Sequence, residues 1–127
     1  MCIRDSAYSI DDGDFRLLYQ SGDGRSQRVW VASGTTRLDP LEIRDVWSVA
    51  ARGRGEPPTE LAQRLLRENA RMTLGAWQVN WRQDEYLVVF SAPVDAGADA
   101  AALQAVIEVV MRSADRVEKE LNGRDEF

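Results

Sequence analysis

Asp11, Asp12 and Asp14 gather three carboxylates around Gly13, and carboxylate oxygens are the ligands calcium prefers. An EF-hand loop also needs spaced acids and a distal bidentate glutamate, and no glutamate stands at that place. The cluster reads as a solvated turn. Gly22-Asp23-Gly24 is too short for a phosphate cradle and leads toward a strand, where a phosphate loop opens a helix. It reads as a hairpin turn. Asp84, Glu85, Asp95 and Asp99 could supply a glycosidase pair, but their spacing selects no two of them. They read as turn and cap residues.

The remaining inventory narrows the chemistry further. The 127 residues include no histidine, one cysteine, Cys2, and one lysine, Lys119. No Ser-His-Asp or Cys-His pair can form, and no His/Cys zinc site can be assembled. Lys119 lies in a charged stretch, outside any phosphate-loop or Schiff-base setting. The expectation is a protein that is not an enzyme and takes neither cofactor nor metal.

The net charge of -5, with basic residues scattered among acids, lacks the basic footprint of a nucleic-acid binder. No apolar run approaches the roughly 20 residues of a membrane span. No apolar signal core follows Met1, and a lone cysteine offers no disulfide framework, so a cytoplasmic location is expected.

Four tryptophans carry more information. Trp30, Trp47, Trp77 and Trp81 all fall in strand-like segments, and their number exceeds the usual need of one small core. Aromatic residues concentrate at the centres of protein interfaces. Trp77 and Trp81 share a parity and cannot easily both sit centrally under one helix. Trp30 is opposite in parity to Val29 and Val31, which turns it away from the core.

The elements that position these residues follow from periodicity. Phe15, Leu17 and Tyr19 alternate with Arg16 and Gln20, a strand interrupted only by Leu18. The turn Ser21-Gly22-Asp23-Gly24 leads to a second strand from Gln27 to Ser33. Gly34 to Pro40 reads as a loop, and a third strand runs from Glu42 to Ala51. These three strands form an antiparallel meander.

A helix then opens at Pro58 or Thr59, with Thr59 a suitable N-cap, and ends at Gly75. Leu61, Leu65 and Met72 form its apolar stripe, and Asn69 within it reads as satisfying backbone groups near the helix end. Ala76 to Arg82 is a strand, and Tyr86 to Ala92, apolar on both faces, is a central strand closed by Pro93. Asp99 caps the last helix, Ala100 to Leu121, whose seam is Leu103, Ile107, Val110, Ala114, Val117 and Leu121. The seam packs on the sheet; a sharper reading has part of it also meet a second copy. Asp115 with Lys119 and Arg116 with Glu120 have the spacing of helix-face ion pairs. From Asn122 the tail looks frayed.

The expected fold is α+β, an antiparallel sheet of about five strands with helices on one face, in the order β-β-β-α-β-β-α. Residues 7–127 form one domain. Met1 to Ser6 reads MCIRDS, which resembles translated sequencing-adaptor sequence, and is set apart from the fold.

Several segments together resemble the YbjN family, whose fold is similar to that of type III secretion chaperones of the CesT/Tir-chaperone type. They are Leu65-Leu66-Arg67-Glu68-Asn69-Ala70, Leu74-Gly75-Ala76-Trp77, Tyr86 through Val94, the helix from Ala100 to Leu121, and Arg25 through Val31. Members usually begin with a helix ahead of the first strand, and this sequence shows none there. The resemblance implies a small, cytoplasmic, non-enzymatic bacterial protein, dimeric, that holds segments of other proteins.

The functional expectation is therefore a homodimer that binds an apolar segment of a client protein. Trp30, Trp47 and Trp81, with Leu18 and Val89 beside them, are the expected partner-binding residues. The alternative is a structural or regulatory homodimer that binds no peptide.

Overall fold

The computed structural model describes residues 7–11, 14–20 and 26–122. The chain is α+β. Its elements are β1 (Ala7–Asp11), β2 (Asp14–Gln20), β3 (Ser26–Val31), β4 (Thr36–Leu38), β5 (Leu41–Arg54), α1 (Thr59–Arg71), β6 (Ala76–Arg82), β7 (Glu85–Asp95) and α2 (Ala100–Asn122). All strand pairs are antiparallel, and the sheet order is β1-β2-β3-β5-β7-β6, with β4 paired to β5. The chain thus runs from β5 through α1 to the outer strand β6, and β7 returns between them. That interior place matches the two apolar faces of β7.

Both helices cover one side of this sheet. Val46 pairs with Ala92 and Ser48 with Phe90, so alternate residues of β5 and β7 point to the same face. There Tyr86, Val88, Phe90 and Ala92 join Val106, Ile107, Val110, Ala114 and Val117 of α2 and Leu65 of α1 in one buried cluster. Each fully buried valine or phenylalanine contributes roughly 1.5–3 kcal/mol of transfer free energy. The expected α2 seam is this packing surface, with Leu103 and Leu121 partly buried at its two ends. Its central residues are enclosed by the sheet, which leaves them no room to meet a second copy as well.

Several expectations are corrected. The sheet has seven strands among the described residues, because β1 and β4 add to the five expected. β4 is three residues long and fully exposed, pairing with the start of β5 across the cis Asp39–Pro40 bond, so periodicity could not distinguish it from loop. Pro58, rather than Thr59, holds the N-cap position of α1, and no side chain caps that end. The helix stops at Arg71, before Gly75. Gly75 instead permits a close approach. With φ at +87° it passes so near the sheet that a Cβ would lie 2.8 Å from the Phe90 ring.

Pro93 lies inside β7 and does not close it. β6 reaches only as far as Ser91, so Pro93 falls where β7 has lost that neighbour and needs no N–H on that side. The expected Arg116–Glu120 pair within α2 is also replaced. Arg116 reaches Glu68 at 2.6 Å and Glu120 pairs with Arg64, so both charges tie α2 to α1. Met1 to Ser6, Ser21 to Gly24 and the centre of the Asp11–Asp14 turn lie outside the described residues, as does the tail beyond Asn122.

The weakest seam of the sheet lies between β3 and β5. They share register only at Trp30↔Trp47 and Val31↔Val46, and Ala32 N–H donates to the Asp45 carbonyl just beyond. On the other side, side chains take over the missing rungs. Ser48 Oγ donates to the Arg28 carbonyl at 2.5 Å, and Gln27 Nε2 donates to Ser48 Oγ at 2.7 Å and to the Val49 carbonyl at 3.2 Å.

Candidate functional site

Residues directly opposite in antiparallel strands share a face, so register alone defines the side away from the helices. Arg16, Trp30, Trp47, Ser91 and Ala76 form one row across five strands. Val49, Val89 and Gln78 form a neighbouring row. In the first row the rings of Trp30 and Trp47 stack, with centroids 6.2 Å apart and planes 9° from parallel. Such aromatic pairs add about 0.5–1.5 kcal/mol beyond the area they bury. Leu18, two residues from Arg16 on β2, and Leu87, opposite Arg52, complete an apolar band on a face that neither helix covers.

Four of the five expected partner-binding residues therefore share one face: Leu18, Trp30, Trp47 and Val89. Their access differs. Leu18 and both tryptophans are half-buried, whereas Val89 is 2 % exposed between its cross-strand partners Val49 and Gln78. Val89 is floor rather than anchor. It is also missing from the helix-side core cluster, as its opposite orientation requires.

Trp81 does not join them. It stands opposite Tyr86, a member of the helix-side core, and so shares the side of Trp77. Trp77 is buried edge-on against Phe90, with centroids 5.1 Å apart. Leu65, Leu66 and Asn69 of α1 line a groove against Trp77 and Val79, and Trp81 lies beyond it at 56 % exposure. Parity couples the two tryptophans; only the burial of Trp77 tells which face both occupy.

The carboxylates are dispersed in structural roles. Asp99 Oδ1 accepts the Ala102 N–H at 2.8 Å and caps α2, as expected. Asp95 accepts the Gly97 N–H, Glu85 lies 3.7 Å from Arg52, and Asp14 accepts the backbone N–H and hydroxyl of Ser33. Among the described residues no group of three or more acidic, histidine or cysteine side chains is placed to hold a metal ion. No helix among them is long and apolar enough to cross a membrane.

Two polar residues escaped the sequence reading. Gln27 and Ser48 are buried at inward parity, the first in step with Val29 and Val31, the second with Val46. A polar side chain at a core position of a strand was the available signal. Tyr19, near them in the sheet, has its phenol pKa raised by burial and by the Glu108 carboxylate.

No known family model matches the chain, and no curated protein does either.

Proposed function

We propose that this protein is a non-enzymatic protein-binding module, similar to type III secretion chaperones, that holds an apolar segment of a partner on the sheet face opposite its helices. One observation carries the reading: the stacked Trp30–Trp47 pair lies on the side of the sheet that no element among the described residues covers. A wet sheet face normally alternates polar residues outward, and a band of Leu18, Trp30, Trp47, Val49 and Leu87 departs from that rule. Central aromatic anchors in interfaces are worth about 2 kcal/mol or more each. The dispersal of the carboxylates and the absence of histidine support a binding role over a catalytic one. A homodimer in the bacterial cytoplasm completes the proposal.

The experiment compares wild type and Trp47→Ala as baits in extract of the source cell, with light scattering of both. The expected result is a mass of two chains for the wild type, and a partner that it retains and the variant loses. A monomeric wild type, or captures that Trp47→Ala leaves unchanged, would overturn the proposal.

A further inference from the structure

Along β5 the sheet face opposite the helices carries Asp45, Trp47, Val49, Arg52 and Arg54 in turn. Strict alternation from Val49 would turn both arginines toward the helices. The register shift between Val49 and Ala51 inserts one residue, so Arg52 comes opposite Leu87 and Arg54 opposite Glu85 on the helix-free side. Arg28 takes the same side on β3, in step with Trp30, and Arg82, opposite Glu85, takes it on β6. All four arginines are exposed. Among the described strand residues, Glu85 is the one acid the registers place with them, 3.7 Å from Arg52. Asp45, opposite Pro93, and Asp95, opposite Ile43, stand at the other end of the face, beyond the indoles. A chain of net charge -5 thus has a face that is apolar at its centre and positive at one end.

We propose that the partner segment held on this face is apolar in its middle and acidic at one end, a specificity that rests on the protein-binding function proposed for the chain. Its apolar side chains lie over Trp30 and Trp47. Its aspartate or glutamate carboxylates meet Arg28, Arg52 and Arg54, as far along the extended segment as Arg52 lies from Trp47 along β5. Guanidinium groups pair with carboxylates in a fixed fork geometry. Complementary charge of this kind selects the partner and its direction more than it adds affinity. Reversed, the segment would set its acids against Asp45, so one orientation is favoured. A single-stranded nucleic acid could also stack on indoles and pair with arginines, but it is anionic along its whole length. It would carry phosphates past Asp45 and Asp95, whereas a protein segment confines its acids to one end.

Fluorescence anisotropy of labelled peptides with the full chain tests this. The peptides share a stretch in which leucine, valine and phenylalanine alternate with serine, and differ at one end only, which is Asp-Glu, Asn-Gln or Lys-Lys. At low salt the acidic peptide should bind about fivefold more tightly than the amide one, the scale of one or two exposed ion pairs. The lysine peptide should bind most weakly, and the differences should fade in high salt. Arg28→Glu with Arg52→Glu should reverse the order, and Arg28→Gln alone should narrow it. Trp47→Ala should weaken all three peptides alike. Equal binding of the three peptides, still sensitive to Trp47→Ala, would overturn the acidic specificity and leave the binding face intact. Binding of none of them, or binding that Trp47→Ala leaves unchanged, would remove the binding face itself. In that case a wild-type mass of two chains that falls to one in Trp47→Ala makes a second copy the occupant. A single-stranded oligonucleotide that outcompetes the acidic peptide would also overturn the proposal.

Discussion

Asn69 pairs with Trp77 as a neighbouring strand would. Its Oδ1 accepts the Trp77 N–H at 2.5 Å and its Nδ2 donates to the Trp77 carbonyl at 3.0 Å. β6 is the last strand of the sheet, and an unpaired outer edge invites association with other chains. One carboxamide on α1 thus satisfies both backbone groups of an edge residue and fixes helix to sheet.

Removing that side chain should be costly. Asn69→Ala leaves a part-buried N–H and carbonyl without partners, and should lower unfolding stability by about 1–3 kcal/mol. Asn69→Asp can still accept the N–H, but when ionised it cannot donate to the carbonyl. Protonation restores a donor, so the folded protein favours the protonated acid and raises its pKa. Relative to wild type, the stability of that variant should therefore be highest in acid and fall as pH rises through the folded pKa. Urea titrations of both variants across pH check these outcomes.

Gly75 makes a second prediction about the same corner. A Cβ there meets Phe90 at 2.8 Å and Ala92 at 3.0 Å, and φ +87° disfavours any side chain. Phe90 is completely buried, so the ring cannot easily move aside. Gly75→Ala should destabilise by about 2 kcal/mol or more, combining backbone strain with overpacking. Gly34→Ala, where a Cβ meets nothing within 4 Å, should stay within about 0.5 kcal/mol. Thermal melts of the two variants side by side give the comparison.

The pH dependence of the wild type should centre on Glu68. The hydrogen bond from Arg116 holds its carboxyl below the ordinary carboxylate value; burial opposes this, and the charges of Arg116, Arg71 and Arg64 assist. A folded pKa below the unfolded one stabilises the fold above the unfolded value. That contribution is lost as pH falls through the folded pKa. Wild type should therefore exceed Glu68→Gln in stability at neutral pH, and the difference should shrink below about pH 4.5. Because Arg116 is 43 % exposed, solvent screening keeps the difference to about 1 kcal/mol or less. Urea midpoints measured down the acid range test the sign.

Much of this architecture was legible wherever one residue pattern had a single packing solution. The seam from Leu103 to Leu121 admits only one face, and β6 begins and ends where its alternation does. β4 was illegible because three exposed residues carry no period. The rerouted Arg116 and Glu120 show a different limit. Their spacing permits a pair within α2, but Glu68 and Arg64 on α1 offer partners that only the packing of the two helices reveals. The candidate face follows the same rule. Trp30 was separable from the core by its parity with Val29, whereas placing Trp81 required the register of β6 against Tyr86.

That separation of Trp47 from Trp81 yields the last prediction. Trp47 stacks on Trp30 across two central strands, and Trp47→Ala removes both the stack and the area it covers. The variant should remain folded but lose about 1 kcal/mol from the aromatic pair, with a further loss from exposed floor around Val49. Trp81 stands 56 % exposed beyond the α1 groove, so Trp81→Ala should change stability by no more than about 0.5–1 kcal/mol. The association measurements should divide the same way. If the helix-free face is the binding surface, light scattering and partner capture change with Trp47→Ala and not with Trp81→Ala. Sensitivity to Trp81 alone would move the interface to the edge of β6 and leave the indole stack a purely structural contact.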